Sequence, residues 1–327
     1  MPLIKAFKSI LYKAKKIKEV KRNGAVILLY HRVINLQSDP QQLAVSPEHF
    51  EKHIQLIKRK YDVLSFDELY YILSTKKKIP KKSILITFDD GYNDNFYHCK
   101  DILTNNKVPA VFFVSTSNLN TRTEFWWDSL ERCILNNKKF PLVVDINIES
   151  SFKCSFSLND NRDNAELYDR LIEDFRSVPP LERNLAIDQI CFCVDNESGR
   201  QTHMSMNNEE LIKFSNSSYI TIGAHTHNHP SLAALDYEGQ LYEIGKSKET
   251  LENILKKKIN YFSYPFGSLR DYNNDTKAIC RNLEFLLVAA NYPGKVYKTT
   301  NTFELPRYLV RNWNEDEFSE KLDSFFL

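Results

Sequence analysis

The stretch ILITFDDGYND, residues 84–94, places two adjacent carboxylates where a buried strand is predicted to end. Its first residues are apolar or β-branched, which is typical of a strand covered on both faces. Asp89, Asp90 and Gly91 follow almost at once. A surface turn needs only one Asp and a Gly. Two acids at this point therefore indicate a function that uses both charges.

Apolar strands recur along the chain and alternate with helical stretches. The strands are predicted at 24–30, 83–88, 109–115, 219–224, 259–267, 284–290 and 305–310. Helices are predicted at 46–61, 65–77, 93–107 and 237–258. This alternation predicts an α/β fold with a parallel sheet, and about seven such strands favour a barrel over an open sheet. No GxGxxG or GxxxxGK[ST] follows a strand, so the sequence gives no support to a nucleotide-binding fold.

The alternation breaks over residues 116–215, which we predict to be an insertion in a domain spanning 24–327. Residues 125–137 have a helical pattern, 142–158 alternate like a β-hairpin, and two polar helical stretches flank the two prolines at 179–180. We expect this mixed helix and hairpin insertion at the C-terminal end of one strand.

The overall charge is nearly balanced, but the first residues are strongly basic. The chain has 327 residues and a formal net charge of +2, so nothing steers it strongly toward nucleic acid. No apolar run reaches the roughly 18 residues of a membrane span. Residues 1–23 are predicted to form a basic amphipathic helix. It either lies on an anionic membrane surface through residues 1–22 or docks on its own domain.

The six cysteines and the N-terminal segment bear on the expected compartment. Lysines interrupt the region where a secretory signal needs a continuous apolar core. The cysteine spacing fits no zinc ribbon or CxxC redox site. We therefore expect reduced thiols in a cytoplasmic protein, with or without peripheral contact at the inner face of the membrane.

Four chemically reactive stretches fall at predicted strand ends. They are YHR (30–32), FDDG (88–91), HTHNH (225–229) and YPFG (264–267). In a parallel barrel the C-terminal ends of the strands converge on one face, where active sites are built. The sequence therefore predicts an enzyme.

The histidine-rich stretch indicates a metal site. Neutral imidazoles and a carboxylate oxygen are common zinc ligands. Pro230 moves His229 away from the α region, so this is not a helical HExxH motif. A metal held by two histidines and one acid keeps a position for water and lowers the pKa of that water. A second acid could then act as general base, provided that a turn at Gly91 brings both acids into the site.

Two structural interpretations compete with this hypothesis. HTHNH could be a polar surface loop that happens to be rich in histidine. Asp90 could cap the helix that starts near Asn93, with Asp89 in solvent.

TFDDGY, HTHNHP and YPFG resemble the signature motifs of the polysaccharide deacetylases, the NodB homology domain of carbohydrate esterase family 4. The resemblance extends from residue 24 to about 310, with the insertion between. LLYHRV near the start and WWD after the third strand resemble the branch found in bacterial polysaccharide-biosynthesis clusters. The resemblance implies a distorted (β/α)7 barrel.

The resemblance also implies roles for residues. It makes Asp89 the general base and Asp90, His225 and His229 the metal ligands. His227 falls at a variable position and is not implied as a ligand.

The resemblance implies roles for the YPFG stretch and for the general acid as well. Tyr264, Pro265 and Phe266 would shape one wall, with the Phe266 N–H donating to the oxyanion. Many members have a C-terminal histidine as general acid, but no histidine follows His229 here. Related deacetylases with a rearranged motif order supply it from the N-terminal YH strand, which makes His31 the candidate.

We therefore predict a metal-dependent N-deacetylase that acts on an N-acetylated sugar, free, polymeric or lipid-linked. The ligand set suits zinc, and also cobalt or nickel. Trp126 and Trp127 are either core residues or, for Trp127 above all, a contact for the sugar ring. Two alternatives stay open: a non-catalytic glycan-binding barrel, and a related metallohydrolase such as a deformylase or an O-deacetylase.

Overall fold

The computed structural model describes residues 24–135, 143–147, 153–157, 163–194 and 199–327. The basic helix predicted for residues 1–23, together with its membrane contact, lies outside these ranges. Among the described helices, none combines the length and the apolar character needed to cross a membrane.

The described chain alternates strands and helices as predicted. The strands are β1 (Ala25–Tyr30), β2 (Arg32–Val33), β3 (Ala44–Val45), β4 (Asp62–Val63), β5 (Ser83–Phe88), β6 (Ala110–Val114), β7 (Val143–Asn147), β8 (Lys153–Ser157), β9 (Ile220–Ala224), β10 (Tyr261–Ser263), β11 (Leu287–Ala289) and β12 (Tyr308–Leu309). The helices are α1 (Pro47–Lys60), α2 (Phe66–Ser74), α3 (Lys100–Asn106), α4 (Trp126–Ile134), α5 (Asp163–Phe175), α6 (Pro180–Val194), α7 (Asn208–Ser215), α8 (Tyr237–Leu255), α9 (Asn274–Asn282) and α10 (Glu315–Phe326). A π-helical turn, Asn95–Cys99, leads into α3.

The main sheet is parallel and curled. Its strands lie in the order β11-β10-β9-β6-β5-β1-β12, and β4 pairs with the start of β5. Leu305 hydrogen-bonds to Val288 and Ala290 at the β11 edge, and the next residues pair with β1. One segment therefore joins both edges of the sheet. The predicted α/β class and distorted barrel are confirmed.

The strand register brings the ends of neighbouring strands to one level. In the β1–β5 pair, Tyr30 lies opposite Phe88, so the residues that follow each strand emerge side by side. In the β6–β9 pair, Val114 lies opposite Ala224. His225 therefore follows the end of β9 directly and lies at the same rim of the barrel as Asp89.

Side-chain alternation decides what points into the barrel. Ile27, Leu85, Val111 and Phe113 pack in the interior cluster that α2 covers, whereas their strand neighbours face the outer helices. Gly223 belongs to the same inward set, because a Cβ there would lie 2.6 Å from the Phe113 ring. The same alternation continues past the end of each strand, so the next inward-facing residue lies at the barrel mouth.

The inserted helices form a small core of their own beside that mouth. The predicted hairpin is present as the antiparallel pair β7–β8. Trp127, Leu130, Leu171 and Ile190 belong to a separate buried cluster that also contains Tyr92. The insertion therefore packs on the loop that follows β5. Its predicted bounds, 116–215, stay a prediction, with β6 ending at Val114 and β9 beginning at Ile220.

Three predicted strands were too long and three helices were not predicted. The strand predicted at 259–267 is regular only over β10, because Pro265 has no N–H and Phe266 and Gly267 have positive φ. The strands predicted at 284–290 and 305–310 are present only as the shorter β11 and β12. The unpredicted helices are α7, α9 and α10, each of which begins with an Asn cap.

Candidate active site

The turn after β5 brings both carboxylates to the barrel mouth. Asp89 continues the inward alternation of the strand, and Asp90 would face outward if the strand went on. Instead Asp90 has φ of 74° and Gly91 has φ of 90°, so the chain reverses its twist and turns the second acid inward. A Cβ at Gly91 would lie 2.8 Å from a methyl carbon of Val114. Only glycine fits this turn.

Asp90, His225 and His229 form one buried group of metal-ligand type. One ligand atom from each lies within 4.8 Å of the others. The Nε2 atoms of His225 and His229 lie 3.6 Å and 3.4 Å from Asp90 Oδ1. His225 Nδ1 lies 2.8 Å from the carbonyl oxygen of Ser263. Since Nδ1 must donate there, the lone pair of His225 is on Nε2, toward Asp90.

The protonation of these groups fits a divalent cation. Burial lowers the pKa of His225, and it lowers that of His229 to about 3, with the positive charge of Arg183 adding to the effect. Both imidazoles are therefore neutral near pH 7, which is the form that binds a metal. Two neutral imidazoles and one carboxylate match the ligands of zinc.

Asp89 is held by an arginine that the sequence reasoning missed. Arg307 Nη1 and Nη2 each donate to one oxygen of Asp89 at 2.7 Å. Arg307 also donates to the Ala290 carbonyl and to Ser263 Oγ, both at 2.7 Å. Burial acts to raise the pKa of Asp89, but Arg307 outweighs it and the pKa falls to about 2. Asp89 is thus ionised at any ordinary pH.

His31 follows β1 and lines the same pocket. Asn95 donates its side-chain N–H to the His31 carbonyl at 2.9 Å, which fixes the backbone there. His31 Nδ1 is buried and has no hydrogen-bond partner in the described part of the chain. Burial lowers the pKa of His31, while Asp90 and Asp89 act in the opposite direction. The structure therefore brings His31 beside both acids in a neutral form.

His227 is directed away from this group. Its Nδ1 lies 2.8 Å from Thr116 Oγ1, and its ring packs edge-on against Tyr242. It belongs to the outer side of the loop.

The pocket over the two acids has a volume of about 330 Å³. Aromatic rings form one wall: the ring centre of Trp127 lies 4.6 Å from that of His229, and Phe266 lies 5.0 Å from it. Trp126 also lines the pocket. Both indoles are nearly buried, with 7% of Trp126 and 5% of Trp127 exposed.

The YPFG stretch divides between wall and core. Phe266 lines the pocket with φ of 57°. Tyr264 stacks on Tyr272 at 4.2 Å and donates to the Phe303 carbonyl. Tyr264 and Pro265 are not among the residues lining the pocket.

A second buried group of similar composition lies behind Trp127. Asp128, Glu131 and His203 also have ligand atoms within 4.8 Å of one another. Tyr92 Oη donates to Asp128 at 2.7 Å, and Trp127 Nε1 donates to that same hydroxyl at 2.7 Å. The adjoining cavity measures only about 20 Å³. This group supports the pocket wall from behind.

Sequence comparison connects this geometry to a family. The profile of a family described as polysaccharide deacetylase matches residues 76–137 and 186–288. The YxkH protein of Bacillus subtilis, whose name places it among polysaccharide deacetylases, is 22% identical over 90% of this chain and 74% of its own length. The poly-beta-1,6-N-acetyl-D-glucosamine N-deacetylase of Staphylococcus aureus is 31% identical over 32% of this chain and 40% of its own length.

Solved structures show the same fold. The Streptococcus pyogenes deacetylase PplD in complex with acetate has a TM-score of 0.59 at 18% identity, over 92% of this chain and 99% of PplD. IcaB from Ammonifex degensii has a TM-score of 0.58 at 16% identity, over 93% of this chain and 98% of IcaB.

Proposed function

The chain belongs to the polysaccharide deacetylase family, and on this premise we propose that it is a metal-dependent N-deacetylase. Its substrate would be an N-acetylated sugar carried in a glycan or a lipid-linked saccharide. One observation carries the proposal: the ligand group of Asp90, His225 and His229 lies beside a second acid, Asp89, which is ionised, is bound by Arg307 and is not part of that group.

Asp90, His225 and His229 would hold the cation, with zinc the best match and cobalt or nickel as alternatives. When bound, the cation lowers the pKa of a water molecule and polarises the acetyl carbonyl. The neutral imidazoles and the tautomer fixed by Ser263 support this role of the ligand group.

Asp89 would act as general base. It accepts a proton from water as the water oxygen attacks the carbonyl carbon, and the C–N bond then breaks to give acetate and the amine. Arg307 keeps Asp89 ionised and fixes its orientation through two hydrogen bonds. A buried, fixed base costs no reorganisation when the substrate binds.

His31 would relay to the leaving amine the proton that Asp89 removes from water, its neutral imidazole taking up that proton before the C–N bond breaks. Its place beside both acids and on the pocket wall supports this role. The Phe266 N–H would stabilise the oxyanion on the opposite wall.

The pocket suits a sugar ring. Trp127 and Phe266 add apolar rings to the lining, and Asn291 and Arg176, the latter already bound to Asp271, add polar groups. The substrate named for the Staphylococcus aureus relative, a polymer of N-acetyl-D-glucosamine, supports the same class of substrate.

The decisive experiment is mass spectrometry of acetate release from a panel of N-acetylhexosamine oligosaccharides, with and without chelator. We expect release that stops with chelator and returns with zinc or cobalt, and none from the matched variant Asp89→Asn. Binding of the oligosaccharide without acetate release would identify a glycan-binding barrel. Release from O-acetylated sugars alone would identify an O-deacetylase.

A further inference from the structure

The loop that carries His229 is held in an unfavourable conformation by two buried charges. Thr226 has φ of 64° and His229 has φ of 54°, the left-handed region in which side chains other than glycine are strained. Such residues persist only when the surroundings over-determine them. The contacts around this loop therefore set where the imidazole of His229 points.

Arg183 of α6 binds the carbonyl side of the loop. Its Nη2 donates to the Asn228 carbonyl at 2.7 Å, and its Nη1 donates to the His229 carbonyl at 3.3 Å. The guanidinium lies 4.9 Å over the ring of Trp126. Arg183 is 2% exposed and its Nε donates to the side-chain oxygen of Asn184 at 3.3 Å, but it forms no ion pair with a carboxylate of the described residues. A buried cation without a paired anion is costly, so this one calls for an explanation.

Glu243 of α8 binds the opposite, N–H side. Its Oε2 accepts from the backbone N–H groups of His227 at 3.1 Å and Asn228 at 2.7 Å. Its Oε1 accepts from the Asn228 side chain at 2.8 Å. Glu243 is also buried, and its charge acts on Arg183 across the loop. The cation holds the carbonyls and the anion holds the N–H groups of one short peptide.

We propose that Arg183 and Glu243 are a pair of positioning residues that hold His229 toward Asp90, and that the inserted helix α6 thereby sets the affinity of the site for a divalent cation. The inference rests on the metal-dependent function proposed above. The two charges compensate each other through the peptide between them, which explains why neither forms a direct ion pair with another of the described residues. The insertion then contributes to the metal centre as well as to the pocket wall.

The first test is titration of the metal-free full-length protein with Co²⁺ or with Zn²⁺ against a competing chelator. Arg183→Met should weaken binding by about 10–100-fold, the usual effect of losing a group that orients a metal ligand. Arg183→Lys should be intermediate, because one amine cannot reach both carbonyls. The matched control is Arg132→Met, which removes another arginine of the inserted helices that binds Glu124 instead of the loop. It should stay within about twofold of wild type.

A double-mutant cycle separates positioning from general destabilisation. On a His229→Ala background, Arg183→Met should add little further loss of Co²⁺ affinity, because its target is gone. On a His225→Ala background it should keep its full effect. Equal added losses on both backgrounds, or a loss no larger than that of Arg132→Met, would overturn the proposal.

Hydrogen exchange tests the clamp without any metal. In the metal-free protein, amides of residues 226–229 should exchange faster in Arg183→Met and in Glu243→Gln than in wild type or Arg132→Met, with a smaller change in exchange elsewhere. Unchanged exchange in this peptide refutes the clamp. Wild-type protein that binds neither Co²⁺ nor Zn²⁺ refutes the metal function instead, and the exchange result then decides the clamp alone.

Discussion

Two buried groups in this molecule, one at the barrel mouth and one behind Trp127, contain the same kinds of side chain but differ in what surrounds them. At the mouth, His225 and His229 are the only described residues within ion-pair distance of Asp90, and the guanidinium of Arg307 binds Asp89 instead. Behind the wall, Arg200 Nη2 lies 3.3 Å from Glu131 and also donates to the Asp128 carbonyl at 2.8 Å. The first group borders a cavity of about 330 Å³, and the second borders one of about 20 Å³.

The difference shows that residue type alone does not make a metal centre. In the second group a guanidinium and a tyrosine hydroxyl already satisfy the carboxylates, so a cation would have to displace them. Burial raises the pKa of Asp128 to about 8, which makes a neutral acid the favoured form there. In the first group burial raises the pKa of the ligand carboxylate Asp90 as well, but the arginine is bound to Asp89, so among the described residues no guanidinium or hydroxyl occupies the Asp90 oxygens.

The largest effect is expected for Asp89→Asn. Losing the base should lower kcat by about 10²–10⁴-fold, while the protein still binds one divalent ion, because Asp89 is not a ligand. Steady-state kinetics and metal analysis measure the two quantities. Asp128→Asn is the control from the second group, and an equal loss of kcat there would erase the contrast between the groups.

Metal binding should depend on the first group alone. His229→Ala and Asp90→Asn should weaken binding by more than about tenfold, since each removes a ligand. His227→Ala and His203→Ala should keep one ion per chain. Metal analysis after dialysis measures this. A lower metal content in His203→Ala would show that the second group binds a cation too.

Arg307→Met should change the pH dependence more than the maximum rate. Without the guanidinium, burial raises the pKa of Asp89 above its present value of about 2. The acid limb of the kcat/KM profile should therefore move to higher pH, with about a tenfold loss for each pH unit below the new pKa. A parallel drop at all pH values would mean that Arg307 has only a structural role.

The last prediction concerns the stability of the second group. Folding raises the pKa of Asp128. Its contribution to the free energy of unfolding is therefore fully present below its unfolded pKa near 4 and is lost as the pH rises through about 8. Asp128→Asn removes this pH-dependent contribution to the free energy of unfolding. Urea unfolding at several pH values should show a difference in slope of up to about 1.4 kcal/mol per pH unit between pH 4 and 8. Identical slopes would show that Asp128 is ionised in the folded protein.

Short-range signals predicted the strands and the four reactive strand ends. Apolar runs such as 83–88 keep their bounds in the structure because burial on both faces leaves little choice of register. The adjacency of Asp89, Asp90 and Gly91 carried enough information to predict the turn. The C-terminal helix had a visible signal as well, since Asn314 and Glu317 form a capping box.

The partners of the site residues were much harder to predict. Arg307 lies in an apolar stretch, LPRYLV, and the sequence marks it only as a charge inside a strand. Arg183 lies on a helix with both apolar and polar neighbours and no motif. Both contacts join segments that are distant in sequence and meet only in the folded protein. No local sequence pattern therefore indicates them.

The segment that joins the two edges of the sheet also carries Arg307, which is synthesised after the other residues of the site. The strand ends with Asp90, His225 and His229 leave the ribosome well before Arg307 does. All three candidate ligand residues are therefore synthesised before the counter-ion of Asp89. Docking of this segment therefore both closes the wall of the barrel and supplies the cation that keeps Asp89 ionised once Asp89 is buried.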